Sequence, residues 1–178
     1  MLEDKLLLLK FKHGSPDALR RIYEKYKNEL LALAVALSND RTMAEDALHD
    51  IFVSFAQYSG KLRLRTTLKS YLLSCIANRV RNLKHAKSQN TVQLSQVENF
   101  SEDCGGPYQL AMSAELCRRI EHAMAKLPYE QREAIILHLQ SGMRFRAIAE
   151  SQNVSINTIQ SRYRYGLDKL RSLLNVEM

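Results

Sequence analysis

Two stretches of this 178-residue chain carry side chains suited to an anionic, hydrogen-bonding partner. The first is SQNVSINTIQSRYRYGLDKL, Ser151 to Leu170. Its periodicity predicts a helix starting at Ser155, with Ile156, Ile159, Tyr163, Leu167 and Leu170 facing inward. Asn157, Thr158, Gln160, Ser161, Arg162 and Arg164 are left on the other side. Amides, hydroxyls and guanidinium groups exchange hydrogen bonds with base edges or donate to phosphates. A solvated helix face is the plainer alternative. The second stretch is KLRLRTTLKSYLLSCIANRVRNLKHAK, Lys61 to Lys87, which has eight Lys and Arg and no acid. Cations without a local anion repel one another, so this run points to a phosphate backbone, with an anionic protein or membrane surface as the competing partner.

The charge balance sharpens that contrast. The net charge is +7, distributed as −1 over residues 1–60, +8 over 61–87, −3 over 88–112 and +3 over 113–178. The excess is a localised footprint, not a general aid to solubility. Cys75, Cys104 and Cys117 are odd in number and, with His122, too few at their spacings for a zinc site, so no metal and no disulfide framework are expected. No paired carboxylates, nucleophile constellation or phosphate loop calls for a catalytic explanation, and an enzyme is not expected. The apolar run KLLLLKF is too short for a signal-peptide core, and nothing approaches a membrane span. A cytoplasmic protein without membrane insertion follows as the expectation.

The elements that must position these residues are helices. Gly (6) and Pro (3) are scarce, 46% of residues are hydrophobic, and no strand-like alternation is present. Ser15 reads as an N-cap with Pro16 at the first helical position, followed by Leu19, Ile22, Tyr23, Tyr26, Leu30, Ala34 and Leu37 at helical spacing. TMAE, Thr42 to Glu45, reads as a capping box opening a helix that buries Ala44, Leu48, Ile51, Phe52 and Phe55 and leaves Asp46, His49 and Asp50 outside. The cationic run forms the next helix, with Leu68, Tyr71, Leu72, Cys75, Ile76, Val80 and Leu83 as its apolar stripe. Residues 88–112 lose periodicity and read as a flexible linker. Leu116, Ile120, Met124 and Leu127 then resume the pattern up to Pro128, and Ala134, Ile135, Leu137 and Leu139 carry it to Gly142. A short helix with Ile148 and Ala149, a turn at Asn153-Val154 and a cap at Ser155 give the layout of a helix-turn-helix, whose second helix enters the major groove. The fold class is all-α, with two small helical domains at 1–87 and 113–178.

The stretch from Leu127-Pro128 through Gln131-Arg132-Glu133, Gly142, Ile148-Ala149-Glu150, Val154-Ser155 and Thr158-Ile159 to Ser161-Arg162 resembles region four of bacterial sigma factors of the extracytoplasmic-function (ECF) type. AEDALHDIFVSF followed by LKSYLLSCIANRVRNLKHAK is similar to region two of the same family, and GSPDALRRIYEKY to its first helix. The resemblance implies a promoter-recognition subunit with core RNA polymerase and promoter DNA as partners, room for an anti-sigma factor, and no cofactor. It implies polymerase contact at Asp46, His49 and Asp50. It places Lys61, Arg63, Arg65, Lys69, Ser70, Asn78, Arg81 and Lys84 at the −10 element, where single-stranded DNA and a flipped base are held. It places Arg144, Ser155, Asn157, Thr158, Gln160, Ser161, Arg162 and Arg164 at the −35 element. The chain departs from the family's habit at Arg144 (commonly a capping Ser), Ala147 (Glu), Asn153 (Gly), Gln160 (Lys), His49 (Gln) and Ala77 (Arg). A dimeric helix-turn-helix regulator acting without polymerase is the competing reading.

Overall fold

The computed structural model describes residues 2–58, 64, 66–90 and 107–176, and every regular element among them is helical. Lys61, Arg63 and Arg65 lie outside the described residues. The chain divides into two compact units, Met1–Ser95 and Gln96–Met178.

The first unit holds α1 (Leu2–Lys12), α2 (Pro16–Ser38), α3 (Arg41–Gln57) and α4 (Leu68–Asn90). Ser15 caps α2 by accepting from the Ala18 amide at 3.4 Å, and Pro16 follows it, as the sequence predicts. Gly14 (φ +82°) supplies the left-handed turn that releases α1. Ile22, Leu30, Leu33 and Leu37 of α2 meet Ala44, Ile51 and Phe55 of α3 and Leu72, Ile76 and Val80 of α4 in one buried core. On α4 the burial is wider than a single stripe, because Leu73 and Ala77 are buried as well. Helix α1 is held by Phe11, stacked on Phe55 at 4.5 Å, and by Lys25, which donates to Glu3 and Asp4 at 2.7 and 2.8 Å.

The capping box expected at Thr42–Glu45 does not form. Asn39 takes the left-handed conformation (φ 56°) that ends α2, and Asp40 is the N-cap of α3, accepting from the Met43 amide at 3.0 Å. Thr42 therefore falls inside the first turn, and Glu45 pairs with Arg41 at 2.8 Å. The Met43 amide holds the Asp40 carboxyl below its ordinary value; burial opposes this and the Lys87 ammonium, 3.1 Å away, adds to it.

The second unit holds α5 (Pro107–Ala125), α6 (Tyr129–Ile135), α7 (Phe145–Gln152) and α8 (Ile156–Val176). Helical backbone thus begins at Pro107, within the stretch whose composition reads as linker; Pro107 opens the helix instead of breaking it, as its missing N–H allows. Helix α6 runs into a π-helical turn, Ile136–Gln140. A turn closed by i→i+5 bonds shifts the helical phase. Ile135, Ile136 and Leu137 are all buried, while Leu139, expected inside, is 61% exposed. Leu116 and Ile120 also stand exposed on α5, where burial begins at Ala123. Arg132 and Glu133 are buried beside one another in sequence; burial pushes the Arg132 pKa down against the favourable fields of Tyr129 and Glu133. At Gly166, α8 packs tightly on α6: a Cβ there would lie 2.8 Å from Ile135 Cδ1 and 3.2 Å from Gln131 Cβ.

Two outcomes follow for stability. A depressed folded-state pKa contributes stability that is fully present above the ordinary value of 3.8 and is lost as pH falls through the lower folded one. Asp40→Ala therefore costs about 1 kcal/mol near neutral pH, and its difference from the wild type shrinks below pH 3.8 in urea titrations of the first unit's transition. At Gly166, the helix propensity gained with Ala is about 1 kcal/mol, against about 1–3 kcal/mol for overpacking. Packing wins, and Gly166→Ala lowers the urea midpoint of the second unit.

Candidate nucleic-acid interface

In the second unit the turn between α7 and α8 is built as the sequence predicts. Asn153 (φ 54°) ends α7 in the left-handed conformation, and Ser155 accepts from the Thr158 amide at 3.0 Å. Ile159, fully buried, and Gly166 lie on the inner side of α8. Three rings fix the corner. His138, in the π-helical turn, stacks on Phe145 at 4.0 Å and meets Tyr163 edge-on at 5.1 Å, with its Nδ1 2.8 Å from the Met143 carbonyl oxygen.

The eight candidate residues of this unit separate by geometry. Asn157, Gln160 and Arg164 are exposed on the outer side of α8, and Ser161 is half-buried among them. The hydroxyls of Ser155 and Thr158 lie 2.8 Å apart and serve the helix start. Arg162 turns back toward α7 and donates to Gln152 Oε1 at 2.9 Å, so it belongs to the packing of the motif as well as to its surface. Arg144 occupies the N-cap position of α7 and makes no side-chain capping bond, as a guanidinium there must. Two residues were not legible as part of this surface. Ile156, expected in the core, is 41% exposed at the first position of α8, where it borders a concavity shared with Arg146, Ala149 and Glu150 of α7 without being covered by them. Tyr165 is exposed beneath the Arg164 guanidinium, 5.2 Å from its ring centroid, a contact that position in the pattern does not reveal.

In the first unit the acid-free run is not without anions. Lys69 pairs with Glu29 of α2 at 2.6 Å, Arg79 with Asp50 of α3 at 2.6 Å, and Lys87 with Asp40 at 3.1 Å. Lys84 donates to the Leu37 carbonyl at 3.1 Å. The repulsion expected from sequence is relieved across helices. The candidates on α4 therefore divide: Lys69 and Lys84 lean toward α2, while Ser70, Asn78 and Arg81 occupy the side opposite the buried residues. Ser74, Asn82 and His85 complete that outer stripe at helical spacing. It is a connected polar surface, in which Thr67 binds Ser70 at 2.9 Å, Ser74 donates to the Ser70 carbonyl at 2.9 Å, and Arg81 donates to Asn78 at 2.8 Å. Behind it Tyr71 and Cys75 are half-buried; burial pushes the Tyr71 phenol up to about 12 and raises the Cys75 thiol too, the latter partly offset by the hydrogen bond between them.

On α3, Asp46 and His49 are exposed, and Asp50 is half-exposed with both Nε and Nη2 of Arg79 on its Oδ2. Val53, 41% exposed, continues the same face one turn on. Beside it runs an open apolar groove between α2 and α3, walled by Leu19, Tyr23, Leu48 and Phe52. Among the described residues no group of three or more His, Cys, Asp or Glu is placed to hold a metal, and no helix is long and apolar enough to cross a membrane.

Known families match both units. The family described as Sigma-70 region 2 matches residues 22–90, and the one described as Sigma-70, region 4 matches residues 117–170. The RNA polymerase sigma factor CarQ of Myxococcus xanthus is 24% identical over 169 residues, covering 93% of this chain and 94% of that protein. The ECF RNA polymerase sigma factor SigW of Bacillus subtilis (strain 168) is 24% identical over 172 residues, covering 92% of each. Among solved structures, the sigma factor RpoE in complex with the anti-sigma factor NepR from Bartonella quintana superposes with a TM-score of 0.67 at 24% identity, over 89% of this chain and 98% of that one. With both regions matched in order and these relatives aligned over more than nine-tenths of their own length, the chain belongs to the sigma-70 family of RNA polymerase sigma factors, in its extracytoplasmic-function group.

Proposed function

We propose that this protein is a dissociable promoter-specificity subunit that binds core RNA polymerase and directs promoter recognition, DNA melting and transcription initiation. One observation carries the reading: two compact units, each matched to a different sigma region, each present a hydrogen-bonding helix face of its own. Two modest reading heads on separate bodies gain selectivity when a scaffold fixes their spacing, and polymerase is that scaffold. The protein is a transcription initiation factor; bond-making belongs to the polymerase, and its place of work is the cytoplasm. The relative solved with an anti-sigma factor supports a regulator of that class here.

The roles we assign to individual residues are supported by their exposure and their hydrogen-bond partners. Asn157, Gln160 and Ser161 read base edges of the −35 element in duplex DNA; Arg144 and Arg164 hold phosphates. Ser155 and Thr158 set the helix start that aims them, and Arg162 reaches DNA from its anchorage on Gln152. Ser70, Asn78 and Arg81 line the path of the melted −10 strand, flanked by Lys69 and Lys84, with Lys61, Arg63 and Arg65 in the preceding segment capturing an unstacked base. Asp46, His49 and Asp50 meet cationic side chains of the polymerase.

Run-off transcription with purified core polymerase and a promoter library is the direct test: defined start sites appear only when the protein is added. A chain that binds duplex sites tightly and specifically as a free dimer would refute the reading. Within it, Gln160→Ala relaxes preference at one −35 position and costs roughly 1–3 kcal/mol. Arg164→Ala instead weakens all sequences about equally and lowers the salt slope by about one unit. Asp46→Lys combined with Asp50→Asn weakens association with core polymerase in sedimentation while helicity is retained. The Asp50–Arg79 pair is half-exposed and worth under about 1 kcal/mol, so its loss leaves the fold standing.

A further inference from the structure

Helical periodicity assigns Ile156 to the core, yet it stands 41% exposed at the first position of α8, while Ile159, three residues on, is fully buried. The N-terminal residues of a recognition helix are the ones that reach base edges. Ile156 sits there beside Asn157 and one turn before Gln160, both exposed. It borders a shallow concavity at the α7–α8 corner, to which Ala149 and Val154 add apolar surface and whose rim carries the Arg146–Glu150 pair at 3.1 Å. The start of α8 is fixed by the Ser155–Thr158 contacts, so this apolar group is held in place and not left on a fraying end.

In the major groove the apolar feature of a base edge is the C5-methyl group of thymine. A branched aliphatic side chain can form no hydrogen bond there and is rewarded only by that methyl. We propose that Ile156 is a specificity-determining residue that packs on the C5-methyl of one thymine in the −35 element. The proposal rests on the promoter reading above and adds a contact of a different chemical kind to the polar ones. It gives the element a thymine requirement that Asn157 and Gln160 do not supply.

The test uses holoenzyme assembled from the full chain and core polymerase, on a promoter selected from the library. Each thymidine of its −35 element, on either strand, is replaced singly by deoxyuridine, which keeps the pairing and removes only the methyl. One replacement should weaken wild-type holoenzyme about fourfold, the worth of one buried methyl. Ile156→Ala holoenzyme should be indifferent to that same replacement, and Ile156→Val should keep most of the response; helicity and melting establish that each variant folds. The proposal is overturned if no replacement affects the wild type, if the element contains no thymidine, or if Ile156→Ala responds as the wild type does. Start-site-specific transcription from the unmodified promoter is scored separately. Its absence would sink the promoter reading itself, whereas an unresponsive deoxyuridine scan with normal initiation removes only the role of Ile156.

Discussion

Helix α4 has no carboxylate of its own, and the anions that meet its cations come from α2, from α3 and from the N-cap residue between them: Glu29 for Lys69, Asp50 for Arg79, Asp40 for Lys87. The three pairs are partly exposed, so each contributes little to stability by itself. Their larger effect is on direction. The cations are drawn to the flanks nearest the other helices, and the remaining side of α4 is left to short polar groups, Ser70, Ser74 and Asn78, with Arg81 among them. A helix that would otherwise bristle with mutually repelling charge becomes one with a smooth hydrogen-bonding stripe. Asp40 links this arrangement to the backbone, since the same carboxylate caps α3 and holds Lys87.

The second unit solves a different problem, that of placing one long helix accurately on a small body. At Gly166, α8 lies so near α6 that an added Cβ would press on Ile135 Cδ1 and Gln131 Cβ, and one of them would have to shift to admit it. The π-helical turn brings His138 to the rings of Phe145 and Tyr163, so that all three helical segments around the corner share one aromatic contact. Gln152 reaches across to Arg162. Between them these contacts set where α8 lies and how it is rotated about its own axis.

How much of this was legible beforehand depends on the range of the interaction. Features decided within four or five residues were readable: Ser15 with Pro16, Asn153 with Ser155, the apolar spacing of α3, the lack of a cap at Arg144. One local signal was outcompeted by another. The dipeptide Asn39-Asp40 ends one helix and caps the next, and it takes the role that the pattern at Thr42–Glu45 suggested. The helix-turn-helix layout was legible for the same local reasons, whereas Ile156 was misplaced because apolar spacing does not reveal whether a side chain in the first turn of a helix is covered. Leu116, Ile120 and Leu139 fail for a related reason, since apolar spacing states which side of a helix is greasy, not whether anything covers it. The cross-helix ion pairs, the Arg162–Gln152 contact and the π-helical turn depend on the assembled packing and leave no short-range mark in the sequence.

The two sides of α8 answer to separate demands. Its inner side, with Ile159 buried and Gly166 where an added Cβ would press on Ile135 and Gln131 of α6, is constrained by packing in which a single added methyl is felt. On the outer side, Asn157 and Gln160 stand in solvent, where exchanges ordinarily move stability by no more than about half a kcal/mol. Selection on the scaffold and selection on the letters it reads can therefore proceed independently. A lineage of such proteins can diverge in the addresses it recognises while the frame that presents the alphabet stays fixed.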